Sequence, residues 1–542
     1  MSEKELSARP NLEQYKKQAK DLARDCSLRL LEAQIRVYHH HPQFHRLTEA
    51  EMHIASVSLT DAQLVLAREH GFESWPKFAK HIETLRLIRE VEEITDPIAA
   101  FIEVACAPRH AGHASGSLEH AEMILAKYPH VATANVHTAA ILADAETVAR
   151  LLAADVANAT EKGGPHGWDA LTHLCFSRYL RIDRERSDAF VHTAKLLLDA
   201  GASAKTGWYE MIDHPKPRPV LESVLYGAAG VARHVELTRL LLEYGADPND
   251  EETPYHVPEG YDNEIMRVVL QSGRLEPMGL ATMLVRKADW HDLDGLRLLL
   301  GHGASPNLSP KFGCTALAHA VHRDNRLAAI EALLDHGGDP SLVNTRDGMS
   351  ATMQAARRGR GDVLELLESR GFTLDLRGVD VLIAACAKAD HAAIEQIQQS
   401  QPGLVAELLR YGGALLAQFA GTANVEGMRC LLELGVPVNA LYGGDGYFEI
   451  AWSSTALHVA AWRAWPAVVQ ELIAQGAAVN ALDGRGRSAL ALAVKACVDS
   501  YWANRRSPDS VRMLLAAGAK TDGIDLPTGY DEIDLLLRQH PG

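Results

Sequence analysis

The chain has 542 residues, 47% hydrophobic and 23% charged, with a formal net charge of -16. That length exceeds one ordinary globular core, and that composition excludes general disorder. The acidic balance argues against nucleic acid and anionic membrane as partners, because both repel a negative surface.

The N-terminus, "MSEKELSARP", is charged and lacks an apolar leader, and no run reaches the ~18 apolar residues of a membrane helix. Seven cysteines (Cys26, Cys106, Cys175, Cys314, Cys386, Cys430, Cys497) are scattered and never spaced C-x-x-C. Free buried thiols in a reducing compartment, the cytoplasm, are expected.

Residues 1–92 read as helices. Leu12, Tyr15, Ala19, Leu22 and Cys26 lie three and four apart, with Asn11 and Gln14 spaced as a capping box. Thr60 and Gln63 offer a second box, with Leu59 and Leu64 as a staple, and Gly71 ends that helix. A third helix begins at Ser74 and turns Phe78, Ile82 and Leu85 inward.

From residue 97 the chain repeats itself. In "STALHVAAWRAWPAVVQELIAQGAAVN", Thr455 caps a short helix and Pro466 opens a second. Gly476 stops that helix by entering the left-handed region. The same stop recurs at Gly201, Gly245, Gly303, Gly337, Gly371, Gly435 and Gly518. Gly303, Gly337 and Gly371 are 34 residues apart, and 64 residues, about two units, separate Gly371 from Gly435.

This grammar resembles the ankyrin repeat: a turn, two antiparallel helices, a glycine and a finger-like loop. The resemblance implies an all-α ankyrin-repeat solenoid over residues 97–522, about ten degenerate units, several with insertions. Residues 523–542 are expected to form a C-terminal capping helix. The "LTDAQLVLAREHGFESWPKFAKHIE" wording resembles a helical segment ahead of ankyrin arrays in a group of bacterial proteins. It brings no known activity. An array needs its first open face covered, so residues 1–92 are expected to cap it. An independent binding or dimerising module is the alternative.

No Walker loop, G-x-S-x-G, H-E-x-x-H or EF-hand motif occurs. "YHHHPQFH" (His39, His40, His41, His45) reads as a helix end stopped by Pro42, and "HAGHASGSLEH" (His110, His113, Glu119, His120) as a loop. No metal or cofactor is expected at either. His319 and His322 should face the concave side or a neighbouring repeat. "Arg360-Gly361-Asp362" falls on the repeat's inter-helix turn and is read as structural. "RIDRER", between the helices of one unit, reads as a solvated helix extension.

Three finger positions are enlarged: "KTGWYEMIDHPKPRPV", "DEETPYHVPEGYDNE" and "LYGGDGYFEIAWSS". They gather Trp208, Tyr209, His214, Tyr255, His256, Tyr261, Tyr442, Tyr447, Phe448 and Trp452, together with acids such as Asp213, Glu251, Glu252 and Asp445. Loops on a rigid scaffold carry binding, and Tyr and Trp anchor interfaces. Equally, long ordered loops need aromatics for a core of their own. The function expected is non-catalytic binding of a protein or peptide through the concave face and these fingers. A basic or amphipathic partner suits the acidic surface. The oligomeric state is left open. The alternative is an acid–base hydrolase or small-molecule binder with a pocket among the 205–220, 250–264 and 442–453 loops.

Overall fold

The computed structural model describes residues 4–540 except 8, 49, 50, 53, 54, 56, 111, 213–215, 501 and 502. The chain forms two compact units. One holds Met1–Val257 and Glu264–Gly273, the other Pro258–Asn263 and Arg274–Gly542. No helix among the described residues is long and apolar enough to cross a membrane.

The first unit opens with helices Leu12–Ser27, Leu31–His40, Leu59–Glu69 and Trp75–Glu92. Tyr15, Ala19, Leu22 and Cys26 are buried, as the helical spacing requires. Phe78 and Ile82 are buried too, Leu85 is half-buried, and Leu87 and Val91 complete the seam. Two caps differ from expectation. Asn11 accepts from the Glu13 N–H at 2.8 Å and makes no box with Gln14. The second box is Ser58 with Asp61, not Thr60 with Gln63: Ser58 N–H donates to Asp61 at 2.9 Å, and Asp61 N–H donates back at 3.1 Å. A carboxylate three residues after a serine satisfies both orphan donors, so the helix starts earlier, at Leu59. The segment meets the first array helices through a Lys80–Glu119 ion pair and a Lys127 bond to the Val91 carbonyl.

The repeat is built as its residues dictate. Helix Ala456–Trp462 begins at Thr455, whose N–H donates to His458 Nδ1 at 3.1 Å. His458 Nε2 then hydrogen-bonds the Ala481 carbonyl at 3.0 Å, tying the helix start to the next finger. Pro466 is the first residue of helix Pro466–Ala474. Gly476 closes it with φ +83, its N–H on the Ile473 carbonyl and the Ala477 N–H on the Leu472 carbonyl. All eight stop glycines have φ between +82 and +106. Helices Val379–Ala387, His391–Ser400, Gly403–Gly421 and Val425–Glu433 fill the long gap as two units. Helix Asp531–Gln539 follows the last unit.

At Arg360–Asp362 the guanidinium and carboxylate pair at 2.8 and 2.9 Å, and a Cβ on Gly361 would stand 2.1 Å from the Ala387 carbonyl oxygen. His319 bonds Asp289 of the preceding unit at 2.8 Å. "RIDRER" breaks at Asp183 into a 3-10 turn, Arg184–Arg186, instead of extending a helix. There Arg184 bonds the Ala232 carbonyl and Arg186 the Leu142 carbonyl, so these charges brace neighbouring units.

Candidate binding site at the finger loops

The first enlarged finger folds into a β-hairpin, the sole sheet among the described residues: β1 (Gly207–Ile212) antiparallel to β2 (Arg218–Ser223). Trp208 pairs with Glu222, Tyr209 with Leu221, Glu210 with Val220 and Met211 with Pro219. Directly opposed residues share a face. Trp208, Glu222, Glu210 and Val220 therefore lie on one side, and Tyr209, Leu221, Met211 and Pro219 on the other. Gly207 allows the close pairing, since a Cβ there would stand 2.3 Å from the Glu222 carbonyl oxygen.

The inner side is anchored. Trp208 is buried, stacks on Trp168 at 5.2 Å and meets Phe176 and His113 edge-on. The outer side is open: Tyr209 is 68% and Met211 59% exposed. Tyr209, Pro219 and Leu221 form one wall of a 410 Å³ cleft whose other wall is the next finger, Asp247–Glu251. Arg218 of the hairpin and Glu251 of the next finger form a two-pronged ion pair at 2.6 Å. Asp250, bonded to Ser223 and Thr253, is pushed up to about 6, burial being the main cause.

Behind the hairpin several charges converge. His113 Nε2 lies 3.2 Å from Glu210, and its Nδ1 hydrogen-bonds the Tyr226 hydroxyl at 2.9 Å. Glu222 is 2% exposed, and its Oε2, 3.7 Å from His113 Nδ1, has no hydrogen-bond partner. Burial, then the charges of Glu252 and Glu210, push Glu222 up to about 8. Burial holds His113 below its ordinary value against the pull of Glu210. His256 sits 3.1 Å from Glu252 and 5.1 Å, ring to ring, from Tyr226. Among the described residues, His113, Glu210 and Glu222 are the one trio of potential metal ligands whose donor atoms lie within 4.8 Å of one another. Sequence reading placed His113 with His110 and Glu119. Glu119 instead pairs with Lys80 and Thr84.

The finger at 442–453, in the second unit, is fastened down. Tyr447 donates to the Asp289 carbonyl at 2.9 Å, with the Arg323 guanidinium 3.2 Å from its ring centre. Phe448 is buried beneath Arg463 and Arg358, at 4.2 and 5.4 Å. Trp462 Nε1 donates to the Phe448 carbonyl, and Tyr442 accepts from Gln418. Below them Asp324 receives Arg358 at 2.7 Å and Arg463 at 3.0 Å. Burial alone would raise this carboxyl, but the two guanidinium charges hold it well below the usual carboxylate range. Trp452 remains 64% exposed, with its backbone carbonyl on the Gly484 N–H. Tyr261 is 70% exposed beside Trp290. Tyr255 is half-buried against His256. His214 and Asp213 lie outside the described residues.

A family profile described as "Ankyrin repeats (3 copies)" matches residues 284–378, and one described as "Ankyrin repeat" matches 453–484. Human transient receptor potential cation channel subfamily A member 1 is 25% identical over 53% of this chain and 23% of its own length. The Caenorhabditis elegans ankyrin repeat and KH domain-containing protein mask-1 is 27% identical over 45% of this chain and 9% of its own. Human ankyrin repeat domain-containing protein 63 is 35% identical over 19% and 28%. The chain thus spans between 9% and 28% of these relatives. All three are animal proteins, so the bacterial likeness of the N-terminal segment stands on its wording alone. A solved human ASB11 ankyrin repeat domain aligns with 44% of this chain and 97% of that one, at 22% identity and a TM-score of 0.20. With paired helices, left-handed glycine stops and both profile matches falling on them, the chain has the ankyrin-repeat fold and carries ankyrin repeats over 284–378 and 453–484.

Proposed function

We propose that this protein is a non-catalytic scaffold that binds a protein or peptide through its repeat array and its enlarged fingers. The observation that carries the reading is the β1–β2 hairpin. Its buried Trp208 side anchors it, and its other side offers Tyr209 and Met211 to solvent beside a 410 Å³ cleft. A finger held in place before binding loses little entropy on binding. Exposed aromatic and thioether side chains are suited to the centre of an interface. The net charge of -16 favours a basic or amphipathic segment. Seven free, buried cysteines suit a reducing compartment such as the cytoplasm. The ankyrin-repeat relatives support a scaffold over an enzyme.

The test is a random-peptide display selection on the immobilised full chain, followed by affinity measurement on the enriched peptides. Peptides with Lys or Arg flanking apolar residues should emerge. Tyr209→Ala/Met211→Ala should weaken them at least ~10-fold, the effect of one interface anchor. Enriched peptides that bind this variant as well as wild type would remove the finger from the account. No enrichment would favour the second reading, a small-molecule site in the same cleft, where Asp250 is held up to about 6. A metabolite-library thermal shift would test that reading.

A further inference from the structure

We propose that His113, Glu210 and Glu222 bind a divalent metal ion, with Zn²⁺ the best fit, which clamps the finger hairpin to the loop carrying His113. This goes beyond the scaffold reading and does not depend on it.

Three observations carry the proposal. The first is geometry. One ring nitrogen and one oxygen from each carboxylate lie within 4.8 Å of one another. Zinc bonds of ~2.0–2.2 Å place two ligands of one ion at most about 4.4 Å apart, so small side-chain adjustments suffice. The hairpin register helps. Glu210 pairs with Val220 and Glu222 with Trp208, so the two carboxylates are diagonal neighbours on one face.

The second is an unmet partner. Glu222 is 2% exposed, and the oxygen it turns toward His113 has no hydrogen bond. Several other buried carboxylates face fixed cations: Asp324 faces Arg358 and Arg463, Asp380 faces Arg357, and Glu69 faces Arg36, while Asp169 and Asp534 are met by threonine hydroxyls and backbone N–H groups. Glu222 instead lies 3.7 Å from His113 and feels the negative charges of Glu252, Glu210 and Asp250, with His256 as the other basic group acting on it. A buried carboxylate among carboxylates is stable when a cation joins them.

The third is the surround. The Tyr226 hydroxyl bonds His113 Nδ1 and Trp208 packs edge-on against the same ring, which leaves Nε2, 3.2 Å from Glu210, for the ion; Glu222 Oε2, 3.7 Å from Nδ1, has to turn toward that edge of the ring. One imidazole with two carboxylates is a borderline donor set, which suits zinc or manganese better than calcium. Three protein ligands leave a coordination position for water. The buried histidine row His137, His173 and His166 also has unpartnered nitrogens, but it brings no three donors within that spacing.

The test is calorimetric titration of the full chain, stripped with EDTA and desalted, with ZnCl₂ and then with MnCl₂. Wild type should bind one zinc at micromolar or tighter affinity, with manganese weaker. Glu222→Gln, close in shape to the native residue, should weaken zinc at least ~100-fold, as should His113→Gln. His40→Ala, on the N-terminal histidine cluster, should leave the affinity unchanged. Circular dichroism of each stripped variant establishes that it is folded. Zinc should raise the melting temperature of wild type and not of Glu222→Gln. No binding by wild type at 100-fold molar excess of zinc would overturn the proposal. So would binding that survives in both Glu222→Gln and His113→Gln.

Discussion

The fingers at 207–223 and 442–453 look alike in sequence, each an insertion after a stop glycine with aromatics and acids. Their fates differ because their charges differ. In the second unit the array beneath the finger supplies arginines: Asp324 holds Arg358 and Arg463, those guanidinium groups lie over Phe448, and the finger's own Glu449 pairs with Lys495. That finger is fastened to its own array, and Tyr447 reaches the Asp289 carbonyl across 158 residues of sequence. In the first unit the hairpin is anchored by Trp208, while its carboxylates meet other carboxylates and imidazoles. Both fingers are held, one by ion pairs and the other by an apolar side, and the second of these keeps a buried carboxylate oxygen with no hydrogen bond.

Substitutions can break this contrast. The largest effect is expected from Asp324→Ala, which removes the buried carboxylate shared by Arg358 and Arg463. It should cost about 4 kcal/mol in urea unfolding. A loss below about 1 kcal/mol would mean that the arginines do not fasten the finger. Trp208→Ala removes the anchor of the other finger and should cost about 3 kcal/mol.

A smaller, pH-dependent effect separates the two fingers. Glu222 is raised to about 8 when folded, above its ordinary value of 4.5. The folded chain therefore holds this proton more tightly than the unfolded chain. Its contribution to stability is present below pH 4.5, declines as pH rises toward about 8 and is gone above it. In EDTA buffer, Glu222→Gln should gain stability over wild type steadily as pH rises from about 5 to about 8 and no further above it. Asp324, held low by arginines, has the opposite sense: its contribution is present at neutral pH and lost in acid. A Glu222→Gln difference that does not change with pH would contradict this assignment. The smallest effect is expected from Tyr209→Ala and Trp452→Ala, each within about 0.5 kcal/mol of wild type in melting experiments, because both rings are exposed.

The array was legible from sequence because its signals are local. A glycine after a periodic helix has one reason to be there, and all eight stops carry positive φ. The N-terminal caps were read imperfectly because serine and threonine compete for the role within two residues, and Asp61 decides in favour of Ser58. The finger aromatics were legible as a group but not by fate. Trp208 and Phe448 are buried while Tyr209 and Trp452 are exposed, and pairing with distant residues sets that difference. The strands escaped notice because prolines and charges interrupt "WYEMIDHPKPRPVLE". The usable signal was the alternation itself, which places Glu222 on the same side as Trp208 and Val220. An acid on an apolar side asks for a partner. That partner, His113, lies about a hundred residues earlier in a loop of Gly and Ser, and no period connects them.

The central claim is that the first finger is formed before any partner arrives. Hydrogen–deuterium exchange of the free protein tests it directly. Peptides covering 207–212 and 218–223 should exchange as slowly as the neighbouring helix Val235–Glu243. Exchange at the rate of an unstructured chain would mean that the finger is not preorganised and would contradict the account.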